Sequence, residues 1–228
     1  MDPRRRSTIF EYESDSPVTL IPKDETMFRM VDSSLTENER FVEVDFYDTD
    51  LDGRRFISCR FNGCDFTEKT MAATVFEGCA FFNCRFNDAQ LEQVAFTGCT
   101  LSDCGFFMAT LAGCKLSGST FADCSWTHAV VRGGQWPMVT MRQAKLDGLD
   151  LSDVRLAEAD LSESSLKRVV FDDADLTGAT LRGSDLREAD LRGARVDSVN
   201  LAGARFASTR MDVDGALAVA VAQGIVIG

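Results

Sequence analysis

Eight cysteines are the first side chains able to ligate a metal, act as nucleophiles or cross-link the chain: Cys59, Cys64, Cys79, Cys84, Cys99, Cys104, Cys114 and Cys124. In that number they imply a disulfide framework, a metal site or neither. The single histidine, His128, offers zinc little, because such sites want convergent ligands with histidine or exposed thiolates among them. Ser164-Ser165-Leu166-Lys167 has the S-x-x-K spacing of a serine nucleophile and its lysine. No phosphate-cradling G-x-x-x-x-G-K-S/T, no H-E-x-x-H and no G-x-S-x-G occurs. Carboxylates are abundant, yet acid-base catalysis needs pairs whose surroundings hold their pKa values apart.

What positions all of these residues is a period of five. From Phe41 to Met211 every fifth residue is apolar, 35 stations comprising 15 Leu, 13 Phe, 3 Met, 2 Val and 2 Trp. With 45% apolar residues in the chain, such a run arises by chance roughly once in a trillion. Two residues before each station the sequence is nearly always small, Glu39, Arg54, Lys69 and Leu149 being the exceptions, and all eight cysteines fall in that class. Two residues after it glycine is concentrated, as at Gly63, Gly78, Gly98 and Gly113, which suits a turn that needs positive φ.

A strand buries every second residue and a helix every 3.6, so a chain with one large and one small inward position in every five must turn at each repeat. A four-sided coil meets that demand, with residues 20 apart stacked as parallel strands. The expected fold is all-β: a quadrilateral parallel β-helix of nearly nine coils, about 40 Å long at the usual strand spacing. In this register Ser164 is a buried corner residue and Leu166 a core centre, so the S-x-x-K match is incidental. The cysteines become compact corner fillers. Parallel stacking suits disulfides poorly, His128 belongs on the surface, and nearly all carboxylates face water. No catalytic residue, cofactor or metal is expected, and the chain reads as a non-enzyme.

Outside the register, residues 1–25 read as a flexible segment and 26–40 as an N-terminal cap before the coils of 41–213. Residues 214–228 read as a short apolar helix and strand that cap the last coil. Leu217, Val219, Val221, Ile225, Val226 and Ile227 there form a homodimer interface or a monomer's lid. Arg4-Arg5-Arg6 is followed by no apolar stretch and no apolar run nears the roughly 20 residues of a membrane helix, so a cytoplasmic, non-membrane protein is expected.

Ala159-Asp160-Leu161, Ala174-Asp175-Leu176, Ser184-Asp185-Leu186-Arg187-Glu188 and Ala189-Asp190-Leu191-Arg192-Gly193 resemble the A(D/N)LXX motif of the pentapeptide repeat family, with variants such as Cys84-Arg85-Phe86. The resemblance covers residues 39–213 and implies a right-handed coil.

The chain carries 24 Lys and Arg against 36 Asp and Glu, net −12, the opposite of the cationic footprint that nucleic-acid binding needs. Residues 41–140 hold 7 basic and 12 acidic groups, and 141–211 hold 11 and 13. Stacking by 20 gathers Asp45, Asp48, Asp65, Glu68 and Asp88 on one face, relieved by Arg85. Such a strip resembles the phosphate display of duplex DNA, as in the pentapeptide repeat proteins that protect type II topoisomerases. These include quinolone-resistance and immunity proteins. That resemblance implies a homodimeric DNA mimic that inhibits DNA gyrase or releases it from a poison. Total charge is insufficient for mimicry, since 40 Å of duplex carries roughly 24 charges, so local concentration must carry it. The alternative is a scaffolding module with a solubilising acidic surface. The loops that project from the coil in the plasmid-borne quinolone-resistance type have no room in this register. Trp126, His128, Trp136 and Pro137, around Gly133-Gly134, mark an irregular place that is a partner site or local packing, and Arg54 and Lys69 at nominal corners predict outward distortion of the first coils.

Overall fold

The protein is described by a computed structural model covering residues 34–222 and 224–226. The segment 1–25, most of the 26–40 cap and Ile227 lie outside these residues. The chain winds as a parallel β-solenoid in which every pairing joins residues 20 apart, beginning with Leu35↔Arg55 and ending with Asp190↔Arg210. Named strands occupy about six turns, from Leu35–Glu37 to Val154–Arg155, and single bridges at the same offset carry the stack onward. Three ladders contain the three-residue strands, one of five strands and two of four. The fourth side is stitched by the bridges Asp45↔Asp65, Asp65↔Arg85 and Arg85↔Gly105. Register is unbroken through the coil region, with no loop projecting from it.

The apolar stations line the axis. Phe46, Phe56, Phe66, Phe76, Phe86, Phe96 and Phe106 have no exposed surface. Each stacks on its counterpart one coil away: Phe46, Phe66, Phe86, Phe106 and Trp126 form one column with ring spacings of 4.6, 4.7, 4.9 and 4.6 Å. Neighbouring columns meet edge to face, as Phe61 does Phe76 at 5.7 Å and 86°. Both geometries are favoured for aromatic pairs, so one arrangement satisfies stacking along the axis and packing across it. Beyond Met141 leucine takes over, and Leu161, Leu166, Leu176, Leu181 and Leu186 are fully buried.

The glycine-rich position is a left-handed corner, with Gly63 at φ 63° and Glu68 and Asp88 both at 56°. Gly134 is different: at φ 142° a Cβ would stand 2.7 Å from Trp136 Nε1 and 2.8 Å from the Cys114 carbonyl. Only glycine fits under that indole. Pairing nevertheless passes through Gly134–Gln135 to Val154–Arg155 in the same register, so the irregularity stays within one corner.

After the last bridge a helix, Val213–Ala222, begins behind Asp212, whose Oδ1 accepts the Gly215 amide at 2.8 Å. Among the described residues no helix is long and apolar enough to cross a membrane.

Candidate functional surface

Chemistry at the corners is committed to structure. The thiol of Cys84 donates to the Phe61 carbonyl, Cys64 to Phe41, Cys79 to Phe56, Cys99 to Phe76 and Cys114 to Leu91, at 3.3 to 3.6 Å. Each acceptor is the station 23 residues earlier, where the turn is open: among the described residues, no backbone amide closes back on those carbonyls. Ser119 and Ser164 show the full arrangement. Ser164 Oγ accepts the Ala144 amide at 3.1 Å and donates to the Met141 carbonyl at 2.8 Å, standing where the turn's own hydrogen bond would lie. Ser119 does the same between Cys99 and Phe96. Ser164 is thus occupied, and Lys167 Nζ lies 3.7 Å from Asp185. Burial pushes the Cys114 thiol up to about 12. In the stacked columns hydrogen bonds from neighbouring thiols raise Cys64 and Cys104 and lower Cys84, while burial opposes ionisation at every one. These are free cysteines, buried except for the half-buried Cys124, and their thiols are engaged on backbone carbonyls.

The acidic face divides into two kinds of carboxylate. Asp45 Oδ1 accepts the Tyr47 amide at 2.9 Å, and Asp65 Oδ1 accepts the Thr67 amide and hydroxyl at 3.0 and 2.6 Å. The same bond recurs at Asp150, Asp160, Asp175 and Asp190, which is the physical reason that aspartate precedes the station so often: it ties down the turn. Asp65 is also paired with Arg85 at 2.5 Å, and that hydrogen bond holds its carboxyl at about 2. Asp48, Glu68 and Asp88 stand instead at the corner column. No donor reaches their carboxylates among the described residues. Asp48 and Glu68 are exposed and Asp88 half-buried. Of the five residues expected to form the strip, three remain uncommitted and two help build the turns.

The other expected sites fall as follows. His128 is exposed, with its ring edge-on to Phe107 at 5.8 Å. Trp126 and Trp136 are buried 6.3 Å apart, and neither Nε1 has a hydrogen-bond partner among the described residues. Pro137 is half-buried, its carbonyl accepting the Gly118 amide. Lys69 does not push the coil outward but reaches the Tyr47 carbonyl at 3.1 Å. At the C-terminus Val213, Leu217 and Val221 form an exposed stripe four residues apart, continued by Ile225 and Val226, while Val219 packs on the core. Asp185, outward by register, is only 2% exposed because Lys167, Arg187 and Arg205 drape over it. That cover is invisible in a single repeat and legible only when three consecutive coils are stacked.

The fold therefore defines a four-sided parallel solenoid whose inward chemistry is spent on packing and whose outer surface carries a carboxylate column. The sequence matches the family described as pentapeptide repeat region over residues 74–151, and that described as pentapeptide repeats (8 copies) over 139–173 and 170–207. The chain belongs to the pentapeptide repeat family. No curated protein matches it. Among solved structures it is similar to full-length QnrB1, a plasmid-mediated fluoroquinolone resistance protein, at 20% identity, covering 84% of this chain and 100% of that one, with a TM-score of 0.57. A pentapeptide repeat protein involved in heterocyst differentiation regulation, HetL from the cyanobacterium Nostoc, matches at 17% identity over 84% and 94%, with a TM-score of 0.28. At 20% identity the likeness to QnrB1 is one of fold.

Proposed function

We propose that this protein is a non-enzymatic, cytoplasmic DNA mimic that occupies the DNA-binding surface of a type II topoisomerase such as DNA gyrase. There it inhibits the enzyme or shields it from a poison. The observation that carries this reading is the column of Asp48, Glu68 and Asp88. Carboxylates about 4.8 Å apart along a strand ladder repel one another, and no bond within the described chain repays that cost. A cationic partner does. The fold shared with QnrB1, itself a fluoroquinolone resistance protein, supports the same direction. The exposed apolar stripe of Leu217, Val221, Ile225 and Val226 supports pairing of two rods through their C-termini.

The deciding experiment is a gyrase supercoiling assay with and without a poison. Neither inhibition nor protection at micromolar protein would end this reading. Glu68 and Asp88 sit at left-handed φ, so Glu68→Gly with Asp88→Gly removes charge at a position where glycine is at ease. That variant is expected to fold and to lose the effect. For the dimer, Leu217→Asp with Val221→Asp changes exposed residues and spares Val219, and light scattering is expected to show a monomer.

A further inference from the structure

The corner column does not end at Asp88. At the same 20-residue step it continues with Met108 and His128. Beside them, on the same two coils, stand Phe107 and Val130. Phe107, Met108 and Val130 are 41%, 49% and 42% exposed, and His128 is exposed with its ring against Phe107. This apolar corner is held in place by the backbone. The Asp88 amide donates to the Phe107 carbonyl at 2.8 Å, the Phe107 amide to Asn87 Oδ1 at 3.2 Å and the Met108 amide to the Thr127 carbonyl at 3.1 Å. The patch is therefore bonded directly to the coil that carries Asp88.

Duplex DNA displays phosphates but no apolar knob, so imitation of DNA gives no reason for these residues. A solubilising surface gives none either, since apolar side chains grouped in water are a cost unless something covers them. We infer that the column and the apolar corner form one composite docking surface for a protein whose row of lysines or arginines borders an apolar recess. The carboxylates attract and orient the cations, and Phe107, Met108 and Val130 fill the recess. From Asp48 to His128 the surface runs four coil rises, about 19 Å. Charge sets the encounter rate and its salt dependence, whereas a desolvated aromatic anchor governs how long the complex lasts. This inference rests on the reading of the column as partner-facing and adds what recognises that partner once it arrives.

The test uses two fluorescein-labelled octapeptides of lysine and glycine, one ending in Trp-Leu and the other in Ala-Ala, titrated against the full chain by anisotropy. The Trp-Leu peptide is expected to bind about tenfold more tightly, with the ratio kept as salt is raised. Phe107→Ser with Met108→Asn is expected to bring the ratio to one while leaving the salt slope. Glu68→Gly with Asp88→Gly is expected to weaken both peptides and flatten the slope. Equal binding of the two peptides by the unaltered chain, or no binding of either, overturns the inference, as does a ratio untouched by the Phe107 and Met108 changes. Because the peptides contain no topoisomerase, a failed gyrase assay leaves this result readable and tells the two ideas apart.

Discussion

The two halves of the rod solve the same repeat in different ways. From Leu35 to about Gln135 three of the four sides are strands, the axis is mostly phenylalanine, and most turns outside the Phe46 side are open, many with thiols or hydroxyls inserted. From Met141 to Arg210 almost all bridges are single, the axis is mostly leucine, and most turns after the Ser164-bridged one at Met141 close on themselves, as Leu149 to Leu146 at 3.1 Å and Ala179 to Leu176 at 2.9 Å. Ion pairs differ as well. Arg55–Glu77 and Arg85–Asp65 are the pairs described in the first half, whereas the second has a lattice centred on Asp160, Glu163, Asp175, Asp185 and Asp190. A closed turn uses its own carbonyl and leaves one residue to bridge the next coil. An open turn keeps three residues extended and leaves a carbonyl to be satisfied from the coil above. The first half therefore depends on core packing and corner donors, and the second more on surface charge.

Four perturbations break or sharpen this contrast. The largest is Phe81→Ala, which removes a ring stacked at 4.5 Å on Phe61 and edge-on to Phe76 and Phe96. It is expected to cost about 4 kcal/mol, against about 3 for Leu181→Ala in the leucine half, measured by urea unfolding. Gly134→Ala, at the junction, places a Cβ against Trp136 and the Cys114 carbonyl and is expected to cost about 2 to 3 kcal/mol. Hydrogen exchange is expected to localise that loss to the coils around Gln135. Cys84→Ala removes the thiol that donates to the Phe61 carbonyl beside the ladder bond and is expected to cost about 1 kcal/mol, while Cys84→Ser restores a donor and recovers part of it. Equal losses in the two variants would mean that the thiol serves only as filler.

The smallest effect is acid sensitivity, and its sign follows from the carboxylates. Asp175, Asp185 and Asp190 are held below the usual range, chiefly by hydrogen bonds from Thr177, Arg187 and Arg192 respectively, and Asp65 is held at about 2 by Arg85. Folded values below the unfolded ones mean a contribution fully present above about pH 4 and lost as pH falls toward the folded values. Three of the four lie in the second half. Between pH 4 and 2 exchange protection is expected to fall first there, and Arg187→Ala is expected to move the onset of that loss upward. Uniform loss along the rod would remove the electrostatic part of the contrast.

Much of this was legible from spacing alone. The Phe41 register predicts the buried axis, the small corners and the left-handed positions, because a strict period leaves each residue one orientation. It also places Arg85 beside Asp65 and Arg155 beside Asp175, since columns follow from a step of 20. The role of the thiols was not legible. Cys84 reads as a small hydrophobe until the Phe61 carbonyl below it is seen to lack a turn partner. Nor does residue type settle the turn. Open turns at Met71 and Leu111 have Val94 and Gly134 above them, and Leu51 is closed despite Thr74. Asp45 and Asp65 looked like members of the strip, yet both hold turns. Phe107, Met108 and Val130 carried a readable signal, apolar residues at outward positions, that becomes a patch only when two coils are laid together.

By itself the sequence determined the period, hence the axis, the coil and the columns, because burying one large and one small side chain in every five admits a single winding. The tertiary structure alone decided which turns open, which carboxylates are spent and which remain available. Those outcomes depend on hydrogen bonds between residues about 20 apart, where a donor on one coil meets an acceptor whose state was set by the coil beneath.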